Sequence, residues 1–543
     1  MSVFSVNPKE GSAVTTETLN DVCKVLGIKI KDEEQEDYRK LLAVFDESAQ
    51  QLMEMDDYLP EVDLGRFPRR DVREVPKDQN PHGAWAWRCS IQDTQPNDGP
   101  LAGKTIALKD MISVKDVPML MGTEFVTGYV PNMDATVTTR VLEAGAHLLG
   151  KTVCENLCHS ATSHSAPTGM VENPFAKGYS AGGSSSGSGV LVALGEIDMS
   201  IGADQGGSVR IPATNCGLVG FKPTFGLIPY TGCGSNEPTN DHLGPMTRTV
   251  LDNALLLQCI AGNDDIDDRS FAGPWPRDVP RYHDSLKKLD RPQDLSGMKI
   301  GIIKESLEIA VLDPRIKECF LAAIEGLRKA GATVTEISVP IHKKGSAIWT
   351  GISKVGGYLA KMYGAPGRRT HNMHELHSLF VDAVHTQENW DKAYVATKNI
   401  YINGVWAEQK YTALLGKATN LSRGMRTAYD QALKDLDVLI TPTLPYVATS
   451  HADPAALPLE SIKKQVGLTS NTCQFNQTGH PALTLPIGML PPLEGPAAGK
   501  DGVKLPVGMQ IVGKWWHEEM VLRTAYAWEL SHDWKSMYVD NQA

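Results

Sequence analysis

The chain has 543 residues, 41% of them hydrophobic, and a formal net charge of −11. That is enough apolar material for a large packed core. The mild acidity counts against a nucleic-acid surface and against an anionic membrane partner. Nine scattered cysteines form no disulfide framework and read as reduced thiols of an intracellular, cytoplasmic chain. The N-terminal MSVFSVNPKEGSAV has no apolar core of a signal peptide, and no run reaches the ~18 apolar residues of a spanning helix. No metal is expected, because Cys154 and Cys158 have no second pair at zinc spacing, and His159 and His164 have no third ligand.

Taken in chain order, residues 1–85 read as a helical N-terminal region. Thr16 to Gly27 and Asp32 to Met55 carry apolar residues at helical spacing, with Asp32 as a candidate cap, and a charged, proline-rich loop follows over Pro60 to Gly83. Residues 86–543 read as one catalytic-size α/β domain. Gly103 to Asp110 (GKTIALKD) is a β-run ending in a lysine, Thr136 to Ala146 a helix, and His147 to Gly150 the next strand. The pattern repeats over Met298 to Pro340, where Asp313-Pro314 opens a helix and Gly331 closes it. Leu436 to Thr443 and Leu505 to Val512 are late strands, with a flexible loop over Pro491 to Asp501. These units predict a mixed, largely parallel twisted sheet with helices on both faces. Residues 341–430 read as a helical insertion that shapes a pocket, with Cys158, His159, Trp349 and Tyr358 as candidate lining residues.

The densest signal is Gly178 to Gly226, where GGSSSGSG and DQGGS flank the apolar run VLVAL. Glycines allow left-handed backbone and close approach, so two such turns can set Ser184 and Ser208 side by side. Taken singly, Ser184 also fits a helix N-cap, Ser208 a turn, and Lys109 a strand end paired with Asp110. Successive N–H groups in the glycine turn can converge on an oxyanion. Gly183 to Gly187 fits G-x-S-x-G, but no β-run precedes it, which argues against a nucleophile elbow. No Gly-Lys-Ser/Thr follows, which argues against a phosphate loop.

Together, Lys109 in ALKD, GGSSSGSG, GADQGGSVRIPA, GLVGFKPTFGLIP, Asp241 to Pro245 with Arg248, Gly479 to Ala482 followed by LTLP, and LPVGMQIVG resemble the amidase signature family over residues 95–530. One departure is Ser186, which stands where the family has a glycine. The resemblance implies a Ser–cisSer–Lys triad that needs no cofactor. Ser208 is then the nucleophile, Ser184 the bridging serine with a cis Gly183–Ser184 bond, and Lys109 the base. It also implies an oxyanion hole of Gln205, Gly206, Gly207 and Ser208 N–H groups, with Ser185, Asp204 and Arg210 in support. The implied substrate is a small aliphatic or aromatic amide or ethyl carbamate (the urethanase reaction), and the implied assembly is a homodimer or larger homo-oligomer. Two alternatives remain: the glutaminase subunit of a tRNA-dependent amidotransferase, and a catalytically silent scaffold.

Overall fold

Short β-branched and apolar runs, each closed by glycine, proline or a charged residue, build the sheet that carries the site. A computed structural model describes residues 5–95, 98–364, 368–384, 386–500 and 502–534. The strands are β1 (Arg70–Glu74), β2 (Trp85–Ile91), β3 (Thr105–Lys109), β4 (His147–Thr152), β5 (Glu172–Asn173), β6 (Ala176–Ser180), β7 (Met199–Asp204), β8 (Val219–Lys222), β9 (His242–Thr247), β10 (Lys299–Ile303), β11 (Thr333–Ile337), β12 (Val438–Pro442), β13 (Ala482–Leu490) and β14 (Leu505–Gly513). Strands β5 and β6 pair with each other; the rest form one sheet in the order β1-β2-β4-β3-β7-β9-β8-β13-β14-β12-β10-β11.

Pairing is parallel within β4–β3–β7 and β11–β10–β12, and antiparallel everywhere else in that sheet. Parallel neighbours need a crossover, and the helices Thr136–Glu143 and Pro314–Lys329 supply two of them. The sheet is therefore mixed, with parallel blocks towards its two ends and an antiparallel centre. Asp313 caps the second crossover helix by accepting from Arg315 N–H, with Pro314 at its first position.

Strand alternation decides where the chemistry points. In β3, Ile106 and Leu108 enter the core cluster that also holds Val141 and Leu256. Ala107 enters the opposite cluster, with Val190, Leu191 and Ala213. Lys109 shares the parity of Ala107, so it faces the helix Ser186–Ala193 and the glycine turn. In β7, Met199, Ile201 and Ala203 take the first cluster, which turns Asp204 to the same side as Lys109.

The chain divides into two compact units, Met1–Pro60 and Glu61–Ala543. In the first, Thr15 and Thr18 close a capping box on the helix Thr16–Leu26, and Gly27 ends it at φ 68°. Asp32 begins a 3-10 turn ahead of the helix Gln35–Met53 and makes no backbone cap there. The division at Pro60 differs from the expected boundary at residue 85. The reason is β1: within the charged loop, Arg70–Glu74 pairs antiparallel with β2 and so joins the large sheet. Residues 341–430 carry helices Gly345–Tyr363, His374–Val384, Gln387–Lys392 and Val395–Lys410 and most of Leu414–Ala432. Among the described residues, no helix is long and apolar enough to cross a membrane.

Candidate active site

Lys109 is fully buried (0% exposed) at the end of β3. Its Nζ lies 2.8 Å from Ser184 Oγ and donates to Ala203 O at 3.3 Å. The adjacent Asp110 does not serve as its partner: Asp110 accepts from Lys151 Nζ at 3.1 Å and from Leu120 N–H at 3.0 Å. The Gly183–Ser184 peptide bond is cis. Ser185 Oγ donates to Ala203 O at 3.2 Å, so one carbonyl ties the serine run to the lysine. Neither Ser184 nor its neighbour caps the helix Ser186–Ala193 through its side chain; the N-cap residue is Ser185, whose hydroxyl makes no capping hydrogen bond to the helix.

Ser186 is anchored by a residue that sequence reasoning missed. Its Oγ donates to Glu155 Oε1 at 2.8 Å, while Glu155 Oε2 accepts from Ser165 N–H at 2.9 Å and from Ser165 Oγ. Burial pushes the Glu155 carboxyl up to about 7 against the pull of those hydrogen bonds. Glu155 lies in the loop after β4, within no glycine or charge motif, so only the fold brings it to the serines.

Asp204 shapes the second turn. Its carboxylate accepts from Gly207 N–H at 2.7 Å and Val209 N–H at 3.1 Å, and pairs with Arg210 through two bonds of 2.8 and 3.0 Å. Burial opposes its charge, but Arg210 and the Asn476 amide outweigh that and hold the carboxyl well below the usual range. Arg210 continues to Thr472 O, Gln510 Oε1 and Asn476 Oδ1 at 2.9, 2.6 and 2.8 Å. Gln510 lies inside LPVGMQIVG, whose part in the site was not readable from spacing. One expected role changes: the Gly207 N–H is committed to Asp204. The Gln205, Gly206 and Ser208 N–H groups remain as candidate oxyanion donors.

Ser208 is half-buried and lines a cavity of about 230 Å³. Among the described residues, no hydrogen bond joins its hydroxyl to that of Ser184. Unliganded sites often show such contacts lengthened. Cys158, His159 and Trp349 line the same cavity, and so do Ser353, Lys354, Glu237 and Asn240, which were not anticipated. Trp349 Nε1 donates to Gln205 O at 2.9 Å. A Cβ on Gly206 would fall 2.7 Å from the Trp349 ring, so this approach requires glycine. Tyr358 is not in the cavity wall. It packs with Ile400 and Tyr401, and its hydroxyl donates to Glu408 at 3.2 Å. It follows Trp349 by nine residues, about 900° of helix, and so points from the opposite face. Among the described residues, no three His, Cys, Asp or Glu side chains gather as metal ligands.

Known proteins share both the sequence pattern and the fold. The Amidase family model matches residues 77–522. An enantioselective amidase of Rhodococcus rhodochrous is 38% identical over 443 residues, covering 80% of this chain and 80% of that protein. A glutamyl-tRNA(Gln) amidotransferase subunit of Synechococcus is 33% identical over 442 residues, covering 80% and 84%. Among solved structures, an amidase superposes with a TM-score of 0.62 at 26% identity, over 80% of this chain and 86% of that one. The 6-aminohexanoate cyclic dimer hydrolase shares the fold, with a TM-score of 0.68 at 23% identity, over 81% and 87%.

Proposed function

Since the chain belongs to the amidase family, we propose that it hydrolyses the carbon–nitrogen bond of a small amide through an acyl-enzyme on Ser208. The observation that carries this reading is the buried 2.8 Å contact between Lys109 Nζ and Ser184 Oγ, beneath the cavity that Ser208 lines. In the proposed sequence, uncharged Lys109 takes the Ser184 proton as Ser184 takes that of Ser208, whose oxygen attacks the carbonyl carbon. The N–H groups of Gln205, Gly206 and Ser208 receive the oxyanion; one such donor is typically worth ~3 kcal/mol. Ser184 returns a proton to the leaving nitrogen, which departs as ammonia or an amine, and water repeats the steps on the ester. Ser185, Asp204 and Arg210 hold the two turns in place.

The relative from Rhodococcus rhodochrous supports a free amidase. Small aliphatic and aromatic amides are the proposed substrates. Ethyl carbamate fits the same acyl transfer, the carbamic or carbonic product decaying to carbon dioxide. The similarity to the Synechococcus amidotransferase protein supports a second reading, glutaminase action within a complex. We propose further that the chain is cytoplasmic and forms a homodimer or larger homo-oligomer, read by light scattering as a multiple of 59.1 kDa.

The test is turnover of a panel of aliphatic amides, aryl amides, anilides and ethyl carbamate by the purified chain. Ser208→Ala and Lys109→Ala should each lower kcat/KM at least ~10³-fold with an unchanged melting temperature. A well-folded Lys109→Ala protein with ordinary rates overturns the assignment. Labelling of Ser208 by a fluorophosphonate separates an enzyme from a silent scaffold.

A further inference from the structure

The cavity wall holds more unmet polar groups than acyl transfer uses. Among the described residues, Ser353 Oγ, Gln205 Oε1, His159 Nε2, Gln465 Nε2 and both Asn240 amide atoms are buried without a hydrogen-bond partner in the protein. A buried polar atom left unmet costs ~1–3 kcal/mol, so such a concentration on one cavity points to a ligand.

Lys354 gives the sign of that ligand's charge. It lines the cavity from the helix Gly345–Tyr363, one residue beyond Ser353. Among the described residues its Nζ makes no ion pair and no hydrogen bond. Burial alone pushes its ammonium down, with no carboxylate to hold it up. Lys354 is half-buried, whereas the fully buried amine of this helix, Lys361, is already tied to Ser235 O at 2.8 Å and Asn236 Oδ1 at 3.0 Å. Burial and the neighbouring amines of Lys361 and Lys354 hold His159 uncharged. The carboxyl group in the wall, Glu237, is pushed up to about 7 by burial. Its Oε2 accepts from Thr239 N–H at 3.1 Å and from the Thr239 hydroxyl. Beside the ammonium, the unmet groups are two amide N–H donors (Gln465 Nε2, Asn240 Nδ2), two amide oxygens (Gln205 Oε1, Asn240 Oδ1) and two groups that can serve either way (Ser353 Oγ, His159 Nε2), so the charge in the wall comes from Lys354.

We propose that the cavity takes amides that carry a second, anionic carboxylate away from the scissile bond, with Lys354 as the residue that selects it. Ser353 and Gln465 can donate to the same carboxylate. This rests on the amide-hydrolysis reading and narrows it to monoamides of dicarboxylic acids. An ion pair that forms with substrate in a partly dehydrated wall acts on binding, so its effect belongs in KM.

The experiment compares matched pairs: butanamide with succinamate, pentanamide with the monoamide of glutaric acid, and hexanamide with that of adipic acid. The wild-type chain should favour the carboxylate member of at least one pair by tenfold or more in kcat/KM, mainly through KM. Lys354→Met should bring that ratio to about 1, and Lys354→Arg should restore part of it, with melting temperatures matching the wild type. Uncharged amides preferred at every length, or a preference that survives Lys354→Met, overturns the proposal. Calorimetry of glutarate and adipate with Ser208→Ala is a separate arm that needs no turnover. If no amide is cleaved, the hydrolysis reading fails on its own. Dicarboxylate binding lost in Ser208→Ala/Lys354→Met then still supports the carboxylate site, and absent or unchanged binding overturns it.

Discussion

Glu155 sits fully buried between two serines whose hydroxyls it accepts. Burial moves its carboxyl from 4.5 to about 7. In this window the native chain binds a proton that the unfolded chain has released. The group therefore costs nothing below about pH 4.5, and its penalty grows as pH rises to about 7, by roughly 3 kcal/mol at the usual 1.4 kcal/mol per pH unit. Glu155→Gln removes that slope: its amide oxygen can face Ser165 and its NH₂ can face Ser186. Unfolding followed at pH 5, 6, 7 and 8 should show the variant gaining on the wild type as pH rises, and parallel curves would refute the assignment. Nothing in the sequence around ENLCHS marks this residue. Lys109 was legible only through the family resemblance, since its β-run alone also fits an ordinary strand-end lysine. Tyr358 was misplaced because residue type was read without helical phase.

The helix Ser186–Ala193 begins where the serine run ends, and it packs its backbone against that of its neighbours. A Cβ on Gly187 would lie 2.2 Å from Ala84 O and 2.6 Å from Val153 N. Neither contact is with a flexible side-chain tip, so Gly187→Ala must move strands β2 and β4 or the loop they lead into. We expect a loss of about 3 kcal/mol, at the upper end of overpacking costs. It should appear as a lower temperature of half-inactivation, and an unchanged value would contradict the close packing. The glycine-serine pattern alone makes this element readable. The strands β8, β9 and β13 were not: they are short or interrupted by proline and glycine, and their pairing comes from non-local partners. The same non-local pairing gives the sheet its antiparallel centre, which local strand–helix–strand units cannot reveal.

Across the whole molecule, every group proposed for catalysis lies within the unit Glu61–Ala543. The purified protein alone should therefore release ammonia from amides with no second polypeptide and no tRNA. Ammonia formed only from glutamine, and only in a reconstituted complex, would favour the amidotransferase reading. The two turns could be read from the glycine-serine pattern, and the proposed triad only from the family resemblance. Of the cavity wall only Cys158, His159 and Trp349 were named in advance, since its residues come from segments as far apart as 158 and 469. Arg210 shows how far this reach extends: it grips Gln510 from 300 positions away. While a ribosome is still adding residue 500, the guanidinium lacks the amide that seats it. Until residue 510 has been joined to the chain, Arg210 can hold only Asp204, Thr472 and Asn476, so the second glycine turn is fully braced later than the sequence that forms it is made.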